Sequence, residues 1–155
     1  MLTLFKWSIV VLVVGTAIFF LARWGAGRAA APNNLGVKDG RLAPCPASPN
    51  CVSTTAVDAE HSIAPIAYTG ETAVAHDAIL ALLQSDPQFT IITDTPTYIH
   101  AEARTAVMQF IDDVEFYFDD TEGLIHFRSA SRLGYGDGGT NRKRMEEIRQ
   151  MYDNR

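Results

Sequence analysis

Residues 8–22, SIVVLVVGTAIFFLA, contain no charge and no proline. An apolar run of this uniformity has few fates. With its flanks, residues 2–24, it reaches the ~20 residues that cross a bilayer core of about 30 Å. Trp7 and Trp24 sit at its two ends, where amphipathic rings favour the membrane interfaces. A helix apolar on all sides needs a large core around it, and the rest of a 155-residue chain is too small to supply one. Residues 1–24 therefore read as a transmembrane helix or signal anchor, and the membrane is the first expected partner. Ala29, Ala30 and Ala31 offer small residues of the kind a signal peptidase reads. Against cleavage, Arg23 and Arg28 intervene between the apolar run and that site, so the reading is an uncleaved anchor. Lys6 and the amino terminus balance Arg23 and Arg28 across the helix, which leaves the orientation open.

Two cysteines bear on the compartment. Cys45 and Cys51 are separated by PASPN, whose prolines and asparagine favour a reversal that brings them within disulfide range. In an oxidising compartment the bond would contribute on the order of 2 to 3 kcal/mol. Two reduced thiols on a cytosolic side are the alternative. Zinc is disfavoured, because only two cysteines exist and no histidine lies nearby at ligand spacing. The expectation is an extracytoplasmic domain, periplasmic or luminal.

After the anchor, residues 25–41 are rich in Ala, Gly, Asn and Pro without periodicity and read as a flexible tether, and residues 42–155 read as one folded domain. Residues 63–68 suit a short strand. Residues 71–84, ETAVAHDAILALLQ, predict a helix with Val74, Ala78, Ala81 and Leu82 on one face, ended by Pro87. Residues 89–93 and 97–104 read as strands, the second alternating Ile99, Ala101 and Ala103 with Tyr98, His100, Glu102 and Arg104. Residues 109–119 put Phe110, Val114, Phe116 and Phe118 on one face and Asp113, Glu115 and Tyr117 on the other. Residues 124–131 send Ile125 and Phe127 one way and His126 and Arg128 the other. A last helix, residues 141–152, spaces Met145, Ile148 and Met151 for one face. This order predicts an α+β two-layer sandwich, a mostly antiparallel sheet with two helices on one face, preceded by one transmembrane helix. The charged sheet face is expected to meet water as ordinary cross-strand pairs.

Asp112 departs from that pattern. It shares the parity of Phe110, Val114 and Phe116, so alternation points a carboxylate into the apolar layer, where it needs a partner. The arginines of RSASR and NRKR are the natural partners, because guanidinium pairs with carboxylate in a two-pronged geometry. The segment RLGYGDGGTNRKR, residues 132–144, opens a helix with Arg142, Lys143 and Arg144, where the dipole disfavours cations, so negative charge is expected close by. Two readings use the same atoms. In one, an ion cluster pins the last helix to the sheet. In the other, Arg142, Arg144 and Arg128 or Arg132 surround a small anionic ligand or a protein partner beside the glycine-rich loop. The ligand-binding set is then Asp112, Asp113, Glu115, Arg128, Ser129, Ser131, Arg132, Asp137, Asn141, Arg142 and Arg144.

The remaining chemistry is sparse. A formal net charge of -5 argues against a nucleic-acid partner held by bulk attraction to phosphate. The loop carries neither GxxxxGK[ST] nor GxGxxG, and no cofactor is expected. A hydrolase using Asp113, Glu115 and a serine is one alternative, although GxSxG is absent, and a structural or assembly protein of the envelope is another. A hard cation on Asp112, Asp113 and Asp137 would compete with the neighbouring arginines, so no metal is expected.

Taken together, CPASPNCVS at 45–53, FIDDVEF at 110–116 and RSASRLGYGDGGTNRKR at 128–144 resemble the domain-of-unknown-function family 1499, over about residues 42–149. The resemblance implies a domain that often follows a membrane-targeting segment, and no activity that transfers. Where the family pattern tends to carry an apolar residue between Asp137 and Gly139, this chain has Gly138.

Overall fold

A computed structural model describes residues 2–155. The apolar run forms α1, Leu2–Ala26. A hairpin of β1 (Val37–Lys38) and β2 (Arg41–Leu42) follows, then β3 (Cys51–Ser53), β4 (Ile66–Ala67), α2 (Thr72–Ser85), β5 (Phe89–Thr95), β6 (Tyr98–Arg104), β7 (Ile111–Asp119), β8 (Leu124–Ser131) and α3 (Thr140–Asp153). The main sheet has the order β3-β8-β7-β6-β5, with antiparallel neighbours, and β4 pairs with the start of β8 beside β3. Strands β5 to β8 are local hairpins. Strand β3 crosses the fold to lie against the last strand.

The register follows the alternation in the sequence. Ala101 faces Val114, Val114 faces Ser129, and Phe116 faces Phe127, so these residues share one face of the sheet. Ile99, Val114, Phe116, Ile125 and Phe127 are fully buried there, under α2 and α3. Burial of each large apolar side chain contributes about 1.5–3 kcal/mol relative to exposure, which makes the register costly to shift. β7 starts at Ile111 and not at residue 109, because Gln109 has φ 58° and interrupts the strand; Phe110 is consequently 38% exposed and does not join the core face.

The helices rotate relative to the sequence expectation. α2 buries Ala75, His76, Ile79 and Leu83, while Val74 is 66% exposed. Its run of apolar residues offers two competing stripes, and burying Ile79 and Leu83 removes more apolar surface than burying Ala78 and Ala81. α3 buries Asn141, Arg144, Met145 and Ile148, but Met151 is exposed. A three-residue step drifts by about 60° per step around a 3.6-residue helix. The stripe therefore leaves Met151 and continues through Tyr152, which packs against the core.

The opposite face of the sheet is not open to water. Asp113, Glu115 and Arg128 are buried, and so is His100. Asp113, Glu115 and Arg128 face residues 27–46, the segment whose composition suggests a tether. Gly36 N–H donates to Glu115 Oε1 at 2.8 Å, Arg132 Nη1 donates to the Ala29 carbonyl at 2.9 Å, and Arg104 Nη1 to the Gly27 carbonyl at 3.2 Å. Leu42 of β2 is buried in the same layer. Charged side chains of the sheet hold the strap down, two arginines through its carbonyls and Glu115 through its amide, since a buried charge without partners is expensive.

Candidate functional site

Parity sends Asp112 and Asp113 to opposite sides of β7, and the structure builds a different ion network on each. On the core side Asp112, 2% exposed, accepts from Arg144 Nη2 at 2.7 Å. Arg144 also donates through Nη1 to Asn141 Oδ1 at 2.9 Å and to Ser129 Oγ at 3.2 Å. Asn141 is fully buried and joins three segments. Its amide nitrogen donates to the Asn50 carbonyl, to Ser131 Oγ and to Asp137 Oδ2, and its Oδ1 accepts from Ser129 Oγ at 2.5 Å. The cysteine loop, the end of β8 and the start of α3 therefore converge on one amide.

The start of α3 obtains its negative charge from within the chain. Asp137 Oδ1 accepts the Gly139 N–H at 2.9 Å and Oδ2 accepts the Asn141 N–H at 2.7 Å. Gly139, at φ 81° and without a side chain, cannot cap the helix itself, and Asp137 does so from two residues upstream. Arg142 points away from both networks and donates to the Glu60 carbonyl at 2.9 Å. The four arginines considered together from the sequence are thus dispersed: Arg144 on the core side, Arg128 and Arg132 on the other, and Arg142 at the outer surface. Ser129 shares the face of Val114, across the sheet from Asp113 and Glu115, so a serine at 129 does not meet those carboxylates.

On the strap side, Arg132 clasps Asp113 with both prongs, Nε to Oδ2 at 2.8 Å and Nη2 to Oδ1 at 2.6 Å, and Nη2 also reaches Glu102 Oε1 at 2.7 Å. His100 Nε2 lies 2.8 Å from Asp113 Oδ1, and Arg104 Nη2 donates to Glu102 Oε2 at 2.8 Å. Burial pushes the Asp113 carboxyl up, but the hydrogen bonds from Arg132 and His100 outweigh it and hold the group below the ordinary carboxylate range. Glu115 accepts from Tyr98 Oη at 2.8 Å and from Arg128 Nη1 at 3.1 Å. Burial, with the charge of Glu115 added, drives the Tyr98 phenol far above its ordinary value, so it keeps the proton it donates.

In this strap-side network one donor is left over. Arg128 is a buried side chain, only 5% exposed, and among the described residues its Nε–H has no acceptor. It lines a cavity of about 410 Å³ between the sheet and the strap, whose walls include Asp113, Ser131 and Arg132 on one side and Pro44, Cys45 and Pro46 on the other. The Cys45–Cys51 disulfide, with Cα atoms 5.7 Å apart, fixes that second wall. Asn50 ties the same loop to the glycine segment, donating through Nδ2 to the Gly134 carbonyl at 2.8 Å.

Tyr98, His100 and Glu102 belong to this site, although alternation places them on a face expected to meet water. Their shared parity with Asp113 and Glu115 was the available signal. The strap contacts of Ala29 and Gly36 had none, because main-chain groups do the bonding.

Comparisons with known proteins place the domain. No curated protein and no solved structure matches the chain. A family model described as "Protein of unknown function (DUF1499)" matches residues 41–151, which takes in the sheet, α2 and nearly all of α3 together with both ion networks, and the chain belongs to that family.

Proposed function

We propose that this chain is a membrane-anchored binding domain, facing an oxidising extracytoplasmic compartment, that takes a small anionic ligand in the cavity beneath the strap. α1 is long and apolar enough to cross a bilayer, and the disulfide belongs to an oxidising environment. The observation that carries the ligand reading is the Arg128 Nε–H. A buried guanidinium donor without an acceptor costs free energy that an incoming carboxylate, phosphate or sulfate oxygen would recover. The carboxylates around it already have donors of their own: Arg132 and His100 hold Asp113, and Tyr98 and Gly36 hold Glu115. Binding is non-catalytic in this reading.

The test is the thermal midpoint of the full chain in detergent, with and without excess phosphate, sulfate, acetate or succinate. Ligand at a hundredfold excess over its dissociation constant stabilises by about 2.7 kcal/mol. The midpoint should rise for the wild type and for Arg142→Ala, which lies off the cavity, and not for Arg128→Lys, which keeps a charge for Glu115 but lacks the Nε donor. Ala30→Phe, at the exposed rim, should abolish the rise by filling the cavity. No rise with any of these anions, or an equal rise in Arg128→Lys, would overturn the assignment.

The core-side network supports a second, structural role. Asp112, Arg144, Asn141 and Ser129 satisfy one another and fasten α3 to β7 and β8.

A further inference from the structure

The end of α1 is not a free hinge. Arg23, in its last turn, donates through Nη1 to the carbonyls of Ala106 and Val107, in the loop between β6 and β7. Gly27, just past the helix, lies so close to that loop that an added Cβ would stand 3.6 Å from Gln109 Cβ. Arg28 stacks over the Trp24 ring at 4.0 Å. Trp24 with flanking arginines is the side-chain set that marks the headgroup level of a bilayer. The loop of residues 105–110 is therefore held within about a helical turn of that level.

What this edge of the domain presents is apolar. Val107 is 64% exposed and Phe110 38%. Phe110 and Leu133 line the same hollow, together with Gly134 and Gly136, and Leu133 is also exposed. Tyr135, in the same glycine-rich loop, is 77% exposed. Single exposed apolar residues need no explanation, but these come from two adjoining loops beside the end of one apolar helix.

We propose that the two loops, residues 105–110 and 133–136, form a membrane-docking face: Val107, Phe110, Leu133 and Tyr135 enter the interfacial zone of the leaflet from which α1 emerges, and Arg23 and Arg28 meet lipid phosphates there. Amphipathic surfaces of this kind sit about 5–10 Å into the boundary between headgroups and acyl chains. The occupant is the lipid surface, because the face is continuous with the helix that enters it. The inference rests on α1 spanning the membrane.

The experiment places single added cysteines in the full chain, whose own two cysteines are joined in the disulfide. Val13→Cys in α1, Val107→Cys, Leu133→Cys and Asp120→Cys, at the far turn between β7 and β8, are labelled with bimane and reconstituted in nanodiscs of phosphatidylcholine and phosphatidylglycerol. Lipids carrying quenchers at shallow or mid-chain positions report depth. Mid-chain quenchers should act on the Val13 label, shallow quenchers on the Val107 and Leu133 labels, and neither on the Asp120 label. If Val13 is quenched while Val107 and Leu133 behave like Asp120, the docking face is wrong and the anchor stands. If Val13 itself is not quenched, the anchor reading fails first and the docking face with it.

Discussion

Replacing Asp112 by leucine tests whether the core-side network holds the fold together. The pair it forms with Arg144 is buried, with Asp112 2% and Arg144 7% exposed, and among the described residues no other acceptor takes the Arg144 Nη2 donor. Removing one partner of a buried pair costs about 3–5 kcal/mol, because the other charge is left uncompensated. Arg144 keeps two neutral acceptors, Asn141 Oδ1 and Ser129 Oγ, which places the expected loss near the lower end, at about 3 kcal/mol. For a domain of this size that corresponds to a fall of about 10–15 °C in the thermal midpoint. Urea unfolding of the full chain in detergent, followed by near-UV circular dichroism of the domain tyrosines, measures the free energy. The discriminating variant is the double one, Asp112→Leu with Arg144→Met. It buries no unpaired charge and should recover to within about 1–2 kcal/mol of wild type, the residue being the hydrogen bonds lost by Asn141 and Ser129. A loss below about 1 kcal/mol in Asp112→Leu, or a double variant as unstable as the two single losses added together, would refute the reasoning.

Two further outcomes follow from the geometry. Asp137→Ala removes two main-chain hydrogen bonds at the start of α3 and one to the Asn141 side chain, and should cost about 1–2 kcal/mol in urea unfolding, with Asp137→Asn recovering part of it. His61 is buried with Nδ1 2.7 Å from Asp58 Oδ1 and Nε2 3.2 Å from the Ser48 carbonyl. Burial alone would push its pKa down, but the Ser48 carbonyl and the Asp58 carboxylate outweigh it and raise the folded value above the ordinary one. A raised folded pKa gives a contribution that is complete below about pH 6.5 and is lost as the pH rises through the folded value. A midpoint series across that range should show the decline, and Asp58→Asn should flatten it.

How much of this was legible beforehand depends on which atoms carry the information. The strands from residue 98 onward were readable because one face packs against helices and period-two alternation survives in the side chains. The inward Asp112 was readable for the same reason, as a carboxylate at an apolar parity. The helix faces were harder: in α2 alanines and leucines occupy nearly every phase, so only the packing of Ile79 and Leu83 decides the rotation. The separation of the arginines was not readable, since Arg142 and Arg144 differ by two positions in a helix whose phase is set by Met145 and Ile148. Least legible was the cover over Asp113 and Glu115. Residues 27–46 contribute the carbonyls of Gly27 and Ala29 and the amide of Gly36, and main-chain groups leave no trace in residue type.

The placement of β3 against β8 has a consequence in time. Cys51 pairs with Ala130, and the Ala29 carbonyl waits for Arg132. The first parts of the domain to leave the ribosome can complete their contacts only when its last strand has been made, and such distant pairings are slow to close. The hairpins from β5 to β8 can assemble without that delay. The Cys45–Cys51 link closes over a separation of six residues and needs nothing from the far end of the chain, so it can form while the rest is still being synthesised. Oxidation would then give the early segment a fixed turn with which to meet a sheet that arrives later.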